Sequence, residues 1–347
     1  MQPRQGDVAC SWLPLSHDMG LIGMFLTAMA AGRPDWVSGP DLVLMTPEMF
    51  LKRPQTWLAA CAEFGATITA APNFGLEMAT TRGIKGVGDL SLIRACITGA
   101  EPIRPAALTR FVAEFGQLGL ETGALKPAYG LAECALAVTG TPVDEVWRVT
   151  DSAKAEAAGS FGQPIVSCGI PLDGYEVRCR GDGAAGELLV RGPSLAEVYS
   201  DGSRVCQADG WFATGDLGWI DDGHVYVMGR TDDVFKVGGR KIFALEVERS
   251  VCELPVARPG RAIAFPDEDG RMCVVLETVT AGDLSIDEAM GVVKAVRDDV
   301  FRTVGLWPRV VVLKRGALPL TASGKVMRAQ TREAVQAGRL EALTGSR

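Results

Sequence analysis

The sequence is poor in several features that mark particular classes of protein. It has only two histidines, His17 and His224, and its nine cysteines include no CxxC pair. This distribution argues against a zinc site and a disulfide framework, so we expect a reducing, cytoplasmic location. The sequence contains no run of about 18 apolar residues, which argues against a membrane span. Its start also lacks the basic and apolar segments of a signal peptide.

Basic charge and one common catalytic motif are scarce as well. Lys and Arg number 35 against 42 Asp and Glu, which gives a net charge of -7. Nucleic acid binding needs a concentrated basic face, so we expect no nucleic acid partner. No G-x-S-x-G motif occurs, and neither histidine stands in a recognisable pattern with a serine nucleophile, which argues against a hydrolase.

The first part of the chain alternates short apolar runs with amphipathic segments. The runs DLVLMT (41–46), GATITAAP (65–72) and LIRACITGA (92–100) predict buried strands. The segments TWLAACAEF (56–64) and RPAALTRFVAEFG (104–116) predict helices. Such alternation predicts a mostly parallel sheet covered by helices, with ligands bound beyond the C-terminal ends of the strands.

The composition changes along the 347 residues and divides the chain into three regions. Together they predict a protein of the α/β class. Residues 1–159 predict a parallel-sheet α/β part, and the Gly-rich and Pro-rich residues 160–230 predict a small β-rich subdomain. Residues 231–347 predict a compact α+β C-terminal domain. The polar spacer 144–160 predicts a loop, and residues 234–254 predict a strand leading through Gly-Gly into a helix.

Two stretches carry side chains suited to a nucleotide. In YGLAEC (129–134), Tyr129 can stack on a base and Glu133 can hold Mg²⁺. In WFATGDLG (211–218), Asp216 is suited to hydrogen bonds with ribose hydroxyls. Each also has a purely structural interpretation, because Tyr129 can be a core aromatic and Asp216 a turn former.

Two further stretches carry cations. Arg230 presents a planar guanidinium that suits a ribose or a phosphate, although it can equally form a surface ion pair. Lys325 follows Ser-Gly in PLTASGKVMR (319–328), where Gly324 lets the backbone turn and the ammonium can reach an anion. A solvated surface lysine is the alternative.

The order and intervals of these stretches resemble the superfamily of acyl-adenylate-forming enzymes, and most closely the fatty acyl-AMP ligases. The resemblance runs nearly from end to end. The matching motifs are SWLPLSHDMGLIG (11–23), PNF (72–74), GAEP (99–102), YGLAE (129–133), VSCGIPL (166–172), TGDLGWIDDGHVYVMGR (214–230) and LPLTASGKVMR (318–328).

The resemblance implies a ligase that works in two steps. A fatty or other carboxylic acid reacts with ATP and Mg²⁺ to give acyl-AMP, and a phosphopantetheine thiol then displaces AMP. The implied acceptor is an acyl carrier protein in lipid or polyketide biosynthesis. The stretch KVGGRKIFALEVE (236–248) looks more like acyl-CoA synthetases, so CoA stays open as the acceptor.

The resemblance also implies roles for individual residues. Glu133 would assist Mg²⁺, and Asp216 and Arg230 would bind the ribose. The residues implied for the adenine pocket are Gly99, Ala100, Glu101, Tyr129 and Gly130.

Three more roles follow from the resemblance. His17 would lie near the acyl and carboxylate end, and Asp232 would be the hinge of the C-terminal domain. Lys325 would bridge the acyl carboxylate and the α-phosphate, where it stabilises charge as the adenylate forms.

One expected feature is missing from the sequence. Superfamily members carry a Ser/Thr/Gly-rich loop with a Lys for the β- and γ-phosphates upstream of SWLPL, and no such loop occurs here. Several alternatives therefore stay open. A separate N-terminal partner or a homodimer can complete the fold. Alternatively, the fold can be pared down, so that the chain performs only the thioester half-reaction or is a non-catalytic adenylate-binding or carrier-protein-binding protein. A mis-assigned start codon or a gene break is a further alternative. The resemblance to this subgroup implies a medium or long fatty acid as the acyl substrate.

Overall fold

The computed structural model divides the chain into two compact units. The described residues are 4, 6–31, 41–157, 164–181, 185–280, 284–320, 326–340 and 342–345. The first unit is Met1–Met228 and the second unit is Gly229–Arg347. The boundary between residues 159 and 160 stays a prediction from sequence. No described helix combines the length and apolar character needed to cross a bilayer.

A seven-stranded sheet forms the centre of the first unit, in the order β2-β1-β3-β4-β5-β6-β7. Its strands are β1 (Val8–Ser11), β2 (Asp41–Leu44), β3 (Ile68–Ala70), β4 (Ala95–Thr98), β5 (Leu125–Gly130), β6 (Ala137–Gly140) and β7 (Ile170–Pro171). Strands β1 to β5 pair in parallel, whereas β6 and β7 pair antiparallel. The predicted parallel sheet is confirmed, because the three apolar runs named above supply β2, β3 and β4.

Helices connect these strands. They are α1 (Thr27–Ala31), α2 (Pro47–Lys52), α3 (Gln55–Glu63), α4 (Asn73–Arg82), α5 (Pro105–Phe115) and α6 (Ser152–Ala157), with a π-helix at Met19–Leu26. The two predicted helices are confirmed as α3 and α5. Pro105 occupies the first turn of α5, where its missing N–H costs no hydrogen bond.

The core of the first unit is aromatic. Trp57 and Phe50 are fully buried and meet edge to face at 6.1 Å between ring centroids. Phe111 of α5 stacks on Trp57 at 6.1 Å, so helices α2, α3 and α5 share one apolar cluster. The Trp57 indole N–H also donates to Thr69 Oγ1 of β3 at 2.8 Å, which fixes α3 on the sheet.

The predicted loop over residues 144–160 is partly wrong, because it contains helix α6. Asp151 precedes this helix, and its Oδ1 accepts the Lys154 backbone N–H at 2.7 Å. Ala155 of the helix is fully buried. A polar segment therefore forms a helical turn here, because an aspartate satisfies an N-terminal amide and an alanine packs against the core.

A second, antiparallel sheet follows in the chain, in the order β11-β10-β9-β8, and all but the last two residues of β11 belong to the first unit. Its strands are β8 (Glu176–Cys179), β9 (Gly186–Arg191), β10 (Phe212–Asp221) and β11 (His224–Arg230). The pairing of β10 with β9 shifts register between Ala213 and Leu217. This β-bulge bends the strand and redirects the side chains within it.

In its described residues, the second unit contains a hairpin, a four-stranded sheet and three α-helices. The strands are β12 (Val234–Val237), β13 (Arg240–Phe243), β14 (Ala257–Pro266), β15 (Met272–Thr278), β16 (Arg309–Leu313) and β17 (Ala342–Gly345). The helices are α7 (Ala244–Glu253), α8 (Ile286–Val304) and α9 (Arg328–Gln336). This mixture confirms the predicted α+β character of the C-terminal part.

The prediction that a strand leads through Gly-Gly directly into a helix is wrong. Gly238 and Gly239 form the two-residue turn between β12 and β13, and α7 begins only after β13. Both glycines have positive φ, 57° and 79°, as a type I′ hairpin turn requires. The Gly-Gly pair is therefore a hairpin turn and not a helix entry.

Candidate functional site

The loops that follow β4 and β5 bring several predicted site residues to one edge of the parallel sheet. The two strands pair in parallel with Thr98 opposite Pro127. Their C-terminal ends therefore meet at the same edge, which is the position where parallel α/β sheets bind ligands. Residues 99–101 leave β4 here, and Tyr129 and Gly130 end β5 here.

The loop after β4 lies tightly against its neighbours. A Cβ atom at Gly99 would lie 2.7 Å from the Ala128 carbonyl oxygen, so only glycine fits. Ala100 has φ of 64°, a left-handed conformation that costs a non-glycine residue about 1 kcal/mol. Glu101 Oε1 accepts the Phe74 backbone N–H at 2.6 Å, which ties the loop to α4. The loop is thus a fixed backbone platform beside β5.

Tyr129 and Asp216 meet although they are 87 residues apart in sequence. The Tyr129 hydroxyl donates to Asp216 Oδ2 at 2.7 Å. Burial of the phenol and the nearby Asp216 carboxylate both raise the pKa of Tyr129 well above its ordinary value. The phenol therefore stays a donor at neutral pH, and it orients one oxygen of the aspartate.

The bulge in β10 explains why Asp216 reaches this position. Gly215 has φ of 71°, and its N–H donates to Glu187 Oε1 at 3.1 Å. Thr214 Oγ1 accepts the Asp216 backbone N–H at 3.0 Å and donates to the Leu188 carbonyl at 2.8 Å. These bonds fix the irregular backbone, so the direction of the Asp216 side chain is set by the strand.

Glu133 lies on the short turn after β5. A Cβ atom at Gly130 would lie 1.8 Å from the Leu136 carbonyl oxygen, so this turn requires glycine. A 3₁₀ turn, Ala132–Cys134, then presents Glu133, whose Oε1 accepts the Tyr199 hydroxyl at 3.1 Å. Tyr199 was not predicted from sequence, because it is 66 positions from Glu133 and no local pattern links the two residues.

Glu133 is a carboxylate at this edge that could contribute to a magnesium site shared with a nucleotide. Within the described ranges, no group of three or more His, Cys, Asp or Glu side chains could hold a metal. Mg²⁺ commonly takes only one or two protein carboxylates and completes its shell with phosphate oxygens and water. One oxygen of Glu133 accepts from the neutral Tyr199 phenol, which places no positive charge beside the carboxylate.

His17 lies at the beginning of the first unit, just before the π-helix. Its Nδ1 is 2.6 Å from Asp18 Oδ1, and Asp18 also accepts the Met19 N–H at 2.7 Å. The side chain of His17 remains 30% exposed. Its role at the acyl end stays a prediction.

Three of the predicted site residues belong to the second unit or lie outside the described residues. Arg230 is exposed and ends β11, and Asp232 is exposed within a 3₁₀ turn, Thr231–Asp233. Lys325 falls in residues 321–325, outside the described part of the chain. The ribose, hinge and catalytic roles of these residues stay predictions.

One histidine lies beside a buried serine that no sequence pattern links to it. His224 Nδ1 lies 3.0 Å from Ser167 Oγ, and His224 Nε2 lies 3.6 Å from Glu145 Oε2. The serine and the histidine are 1% and 3% exposed, and Ser167 Oγ also accepts the Gly169 N–H at 3.0 Å. A nucleophile needs access to substrate, so this cluster is structural.

The architecture, a parallel α/β unit with an antiparallel sheet followed by an α+β unit, is that of adenylate-forming enzymes. The chain belongs to the AMP-binding enzyme family, whose sequence profile matches residues 1–200. The matched span contains the platform 99–101, Tyr129 and Glu133.

Two curated relatives and one solved structure show the same resemblance. The long-chain-fatty-acid–AMP ligase FadD32 of Mycolicibacterium smegmatis is 30% identical over 99% of this chain and 64% of its own length. FadD26 of Mycobacterium marinum, also a long-chain-fatty-acid–AMP ligase, is 32% identical over 92% of this chain and 60% of its own length. A solved structure, from a study of fatty acyl-adenylate ligases of E. coli and L. pneumophila, superposes on this chain with a TM-score of 0.85.

That structure is 28% identical and is aligned over 97% of this chain and 63% of its own. The resemblance to fatty acyl-AMP ligases is thereby confirmed. The chain spans a little under two thirds of the length of these relatives. The activity of a whole ligase is therefore a proposal for this chain.

Proposed function

We propose that this chain, alone or within a longer protein, is a fatty acyl-AMP ligase. It activates a fatty acid with ATP and passes the acyl group to the phosphopantetheine thiol of an acyl carrier protein. The observation that carries the proposal is the 2.7 Å hydrogen bond between Tyr129 and Asp216, beside the platform 99–101. An aromatic ring, a backbone platform and an oriented carboxylate are the parts that a nucleoside needs.

In the first step, a carboxylate oxygen of the fatty acid attacks the α-phosphorus of ATP and the bond to pyrophosphate breaks. Tyr129 binds the adenine face, and the Asp216 carboxylate accepts from a ribose hydroxyl. Bound Mg²⁺ would neutralise phosphate charge, and Glu133 is the side chain that would hold it. We assign Lys325, by the resemblance, the stabilisation of the charge that develops on the phosphate.

In the second step, a thiol attacks the acyl carbonyl of acyl-AMP and AMP leaves. We assign Asp232, by the resemblance, the hinge between the two steps, so that Lys325 can withdraw before the thiol arrives. Arg230 completes the ribose site and His17 the acyl end in the same proposal. The hairpin β12–β13, with its Gly-Gly turn, resembles acyl-CoA synthetases in sequence, so CoA is the competing acceptor.

The test is to incubate the 347-residue chain with ATP, Mg²⁺ and fatty acids of mixed length and to detect acyl-AMP by mass spectrometry. Asp216→Asn should lower the rate at least about tenfold, because a charged hydrogen bond is worth about 1.5–3 kcal/mol. Lys325→Ala should lower it by about 100-fold or more. Asp209→Asn is the matched control, since Asp209 forms an exposed pair with Arg178.

A second arm supplies synthetic acyl-AMP with either a carrier-protein thiol or CoA. Thioester formation in this arm alone would restrict the function to the second half-reaction. A chain that forms neither product, although it is folded, would contradict the proposal. Preference for CoA over the carrier protein would replace the proposed acceptor.

A further inference from the structure

We propose that Tyr199 is a positioning residue that holds the Glu133 carboxylate in place for Mg²⁺. The inference rests on the proposed function, because it assigns a partner to the metal-binding side chain of that site. The direct observation is the 3.1 Å hydrogen bond from the Tyr199 hydroxyl to Glu133 Oε1. Tyr199 lies in the connection between β9 and β10, outside all the motifs that the sequence analysis used.

The backbone around Tyr199 is fixed by a small hairpin of its own. Its N–H donates to the Ser203 carbonyl at 2.8 Å, and its carbonyl accepts the Gly202 N–H at 2.9 Å. Val198 and Arg204 form an antiparallel bridge next to it. The phenol therefore extends from a backbone that is held on both sides, even though the residue is 42% exposed.

The same connection also binds the turn that carries Glu133. The Ala196 N–H donates to the Glu133 carbonyl at 2.7 Å. Ser194 Oγ donates to the Cys134 carbonyl at 2.7 Å, and the Tyr175 hydroxyl donates to that carbonyl at 3.2 Å. Backbone and side chain of Glu133 are thus both held by residues 194–199, an arrangement that orients the carboxylate in addition to fixing the turn.

The chemistry of the contact suits a metal-binding carboxylate. A neutral phenol donates to one oxygen, orients the carboxylate and places no positive charge beside it. In metal sites, partners that orient a ligand in this way typically contribute about 10- to 100-fold in metal affinity or activity. Loss of the Tyr199 hydroxyl should therefore lower the affinity for the metal while it changes the stability of the folded chain less.

The test compares Tyr199→Phe with Tyr175→Phe in the full chain. Tyr175→Phe is the matched control, since its hydroxyl contacts the backbone of the same turn but not the Glu133 carboxylate. Mn²⁺ is titrated by electron paramagnetic resonance in the presence of α,β-methylene ATP, and Glu133→Gln is measured alongside. We expect about tenfold weaker Mn²⁺ binding for Tyr199→Phe and a change under twofold for Tyr175→Phe. The rate of acyl-AMP formation should recover as Mg²⁺ is raised.

Three outcomes separate the inference from the function on which it rests. Mn²⁺ binding that weakens in Tyr199→Phe and Glu133→Gln but not in Tyr175→Phe supports the inference. Equal Mn²⁺ binding in wild type and Tyr199→Phe, with binding lost in Glu133→Gln, overturns the inference and leaves the proposed function intact. Wild-type chain that binds no Mn²⁺ beyond that taken by the free nucleotide overturns both.

Discussion

The ion pair between Arg328 and Glu248 provides the sharpest stability prediction in the second unit. Arg328 Nη1 and Nη2 each donate to one oxygen of Glu248 at 2.5 Å, and the Ala264 N–H donates to Glu248 Oε1 at 2.7 Å. Arg328 Nε also lies 3.2 Å from Asp233 Oδ1. The Glu248 side chain is 7% exposed, whereas that of Arg328 is 32% exposed.

The unequal exposure predicts unequal costs for removing the two partners. Arg328→Met leaves a buried carboxylate with one N–H donor, and breaking such a pair costs about 3–5 kcal/mol. The cost is limited at pH 7, because the protein can protonate the carboxyl instead, which requires about 3.7 kcal/mol relative to an ordinary, unfolded-state glutamate with a pKa of about 4.3. Glu248→Gln leaves the partly exposed Arg328 guanidinium, which keeps its ion pair with Asp233. We therefore expect the free energy of unfolding to fall by about 2 kcal/mol.

The pH dependence of the Arg328→Met deficit follows from the same reasoning. Burial raises the pKa of Glu248, and Arg328 opposes that shift in the wild type. Without Arg328, the pKa of Glu248 in the folded state lies further above its pKa in the unfolded state. The variant therefore loses stability as pH rises from the unfolded-state pKa to the folded-state pKa. The deficit should therefore shrink between pH 7 and pH 5, by up to about 1.4 kcal/mol per pH unit.

The assay is urea unfolding of both variants at pH 5, 6 and 7, monitored by circular dichroism. Arg302→Met is the matched control, since Arg302 is 72% exposed in its pair with Asp299 and should change stability by under about 1 kcal/mol. An Arg328→Met deficit below about 1 kcal/mol, or one that does not vary with pH, would refute the reasoning.

Two further predictions concern the first unit. Burial disfavours the Asp7 carboxylate, but hydrogen bonds from Arg94, Arg4 and Thr67 hold its pKa below the ordinary value. This contribution to stability is present above about pH 4 and is lost as pH falls through the folded-state pKa of Asp7. The stability of Asp7→Asn should therefore depend less on pH than that of the wild type, in acid unfolding that is monitored by fluorescence. Gly130→Ala should abolish acyl-AMP formation measured by mass spectrometry, because its Cβ would meet the Leu136 carbonyl; unchanged activity would contradict the tight turn.

Local patterns in the sequence predicted much of the fold. Alternating apolar runs identified β2, β3 and β4, and Pro105 marked the start of α5. The helix α6 was missed, because its formation depends on the Asp151 cap and on burial of Ala155. The hairpin at Gly238-Gly239 was missed, because β13 is only four residues long and reads as the beginning of α7.

The candidate site was predictable only as a set of residues. Side-chain chemistry and the resemblance both pointed to Tyr129, Glu133 and Asp216, but their contacts depend on chain segments far apart in sequence. The bulge that directs Asp216 and the hairpin that presents Tyr199 are tertiary features, and neither leaves a periodic pattern. Ser167 and His224 illustrate the same limit, since 57 residues separate two side chains that lie 3.0 Å apart.

The central claim is that the edge formed by the platform 99–101, Tyr129 and Asp216 binds an acyl adenylate. The most direct measurement is calorimetric titration of a non-hydrolysable acyl-sulfamoyl adenosine into the full chain, with Asp216→Asn and Asp209→Asn in parallel. Saturable binding that weakens at least about tenfold in Asp216→Asn, and is unchanged in Asp209→Asn, is the predicted result. Folded wild-type chain that does not bind, or binds as tightly after Asp216→Asn, would contradict it.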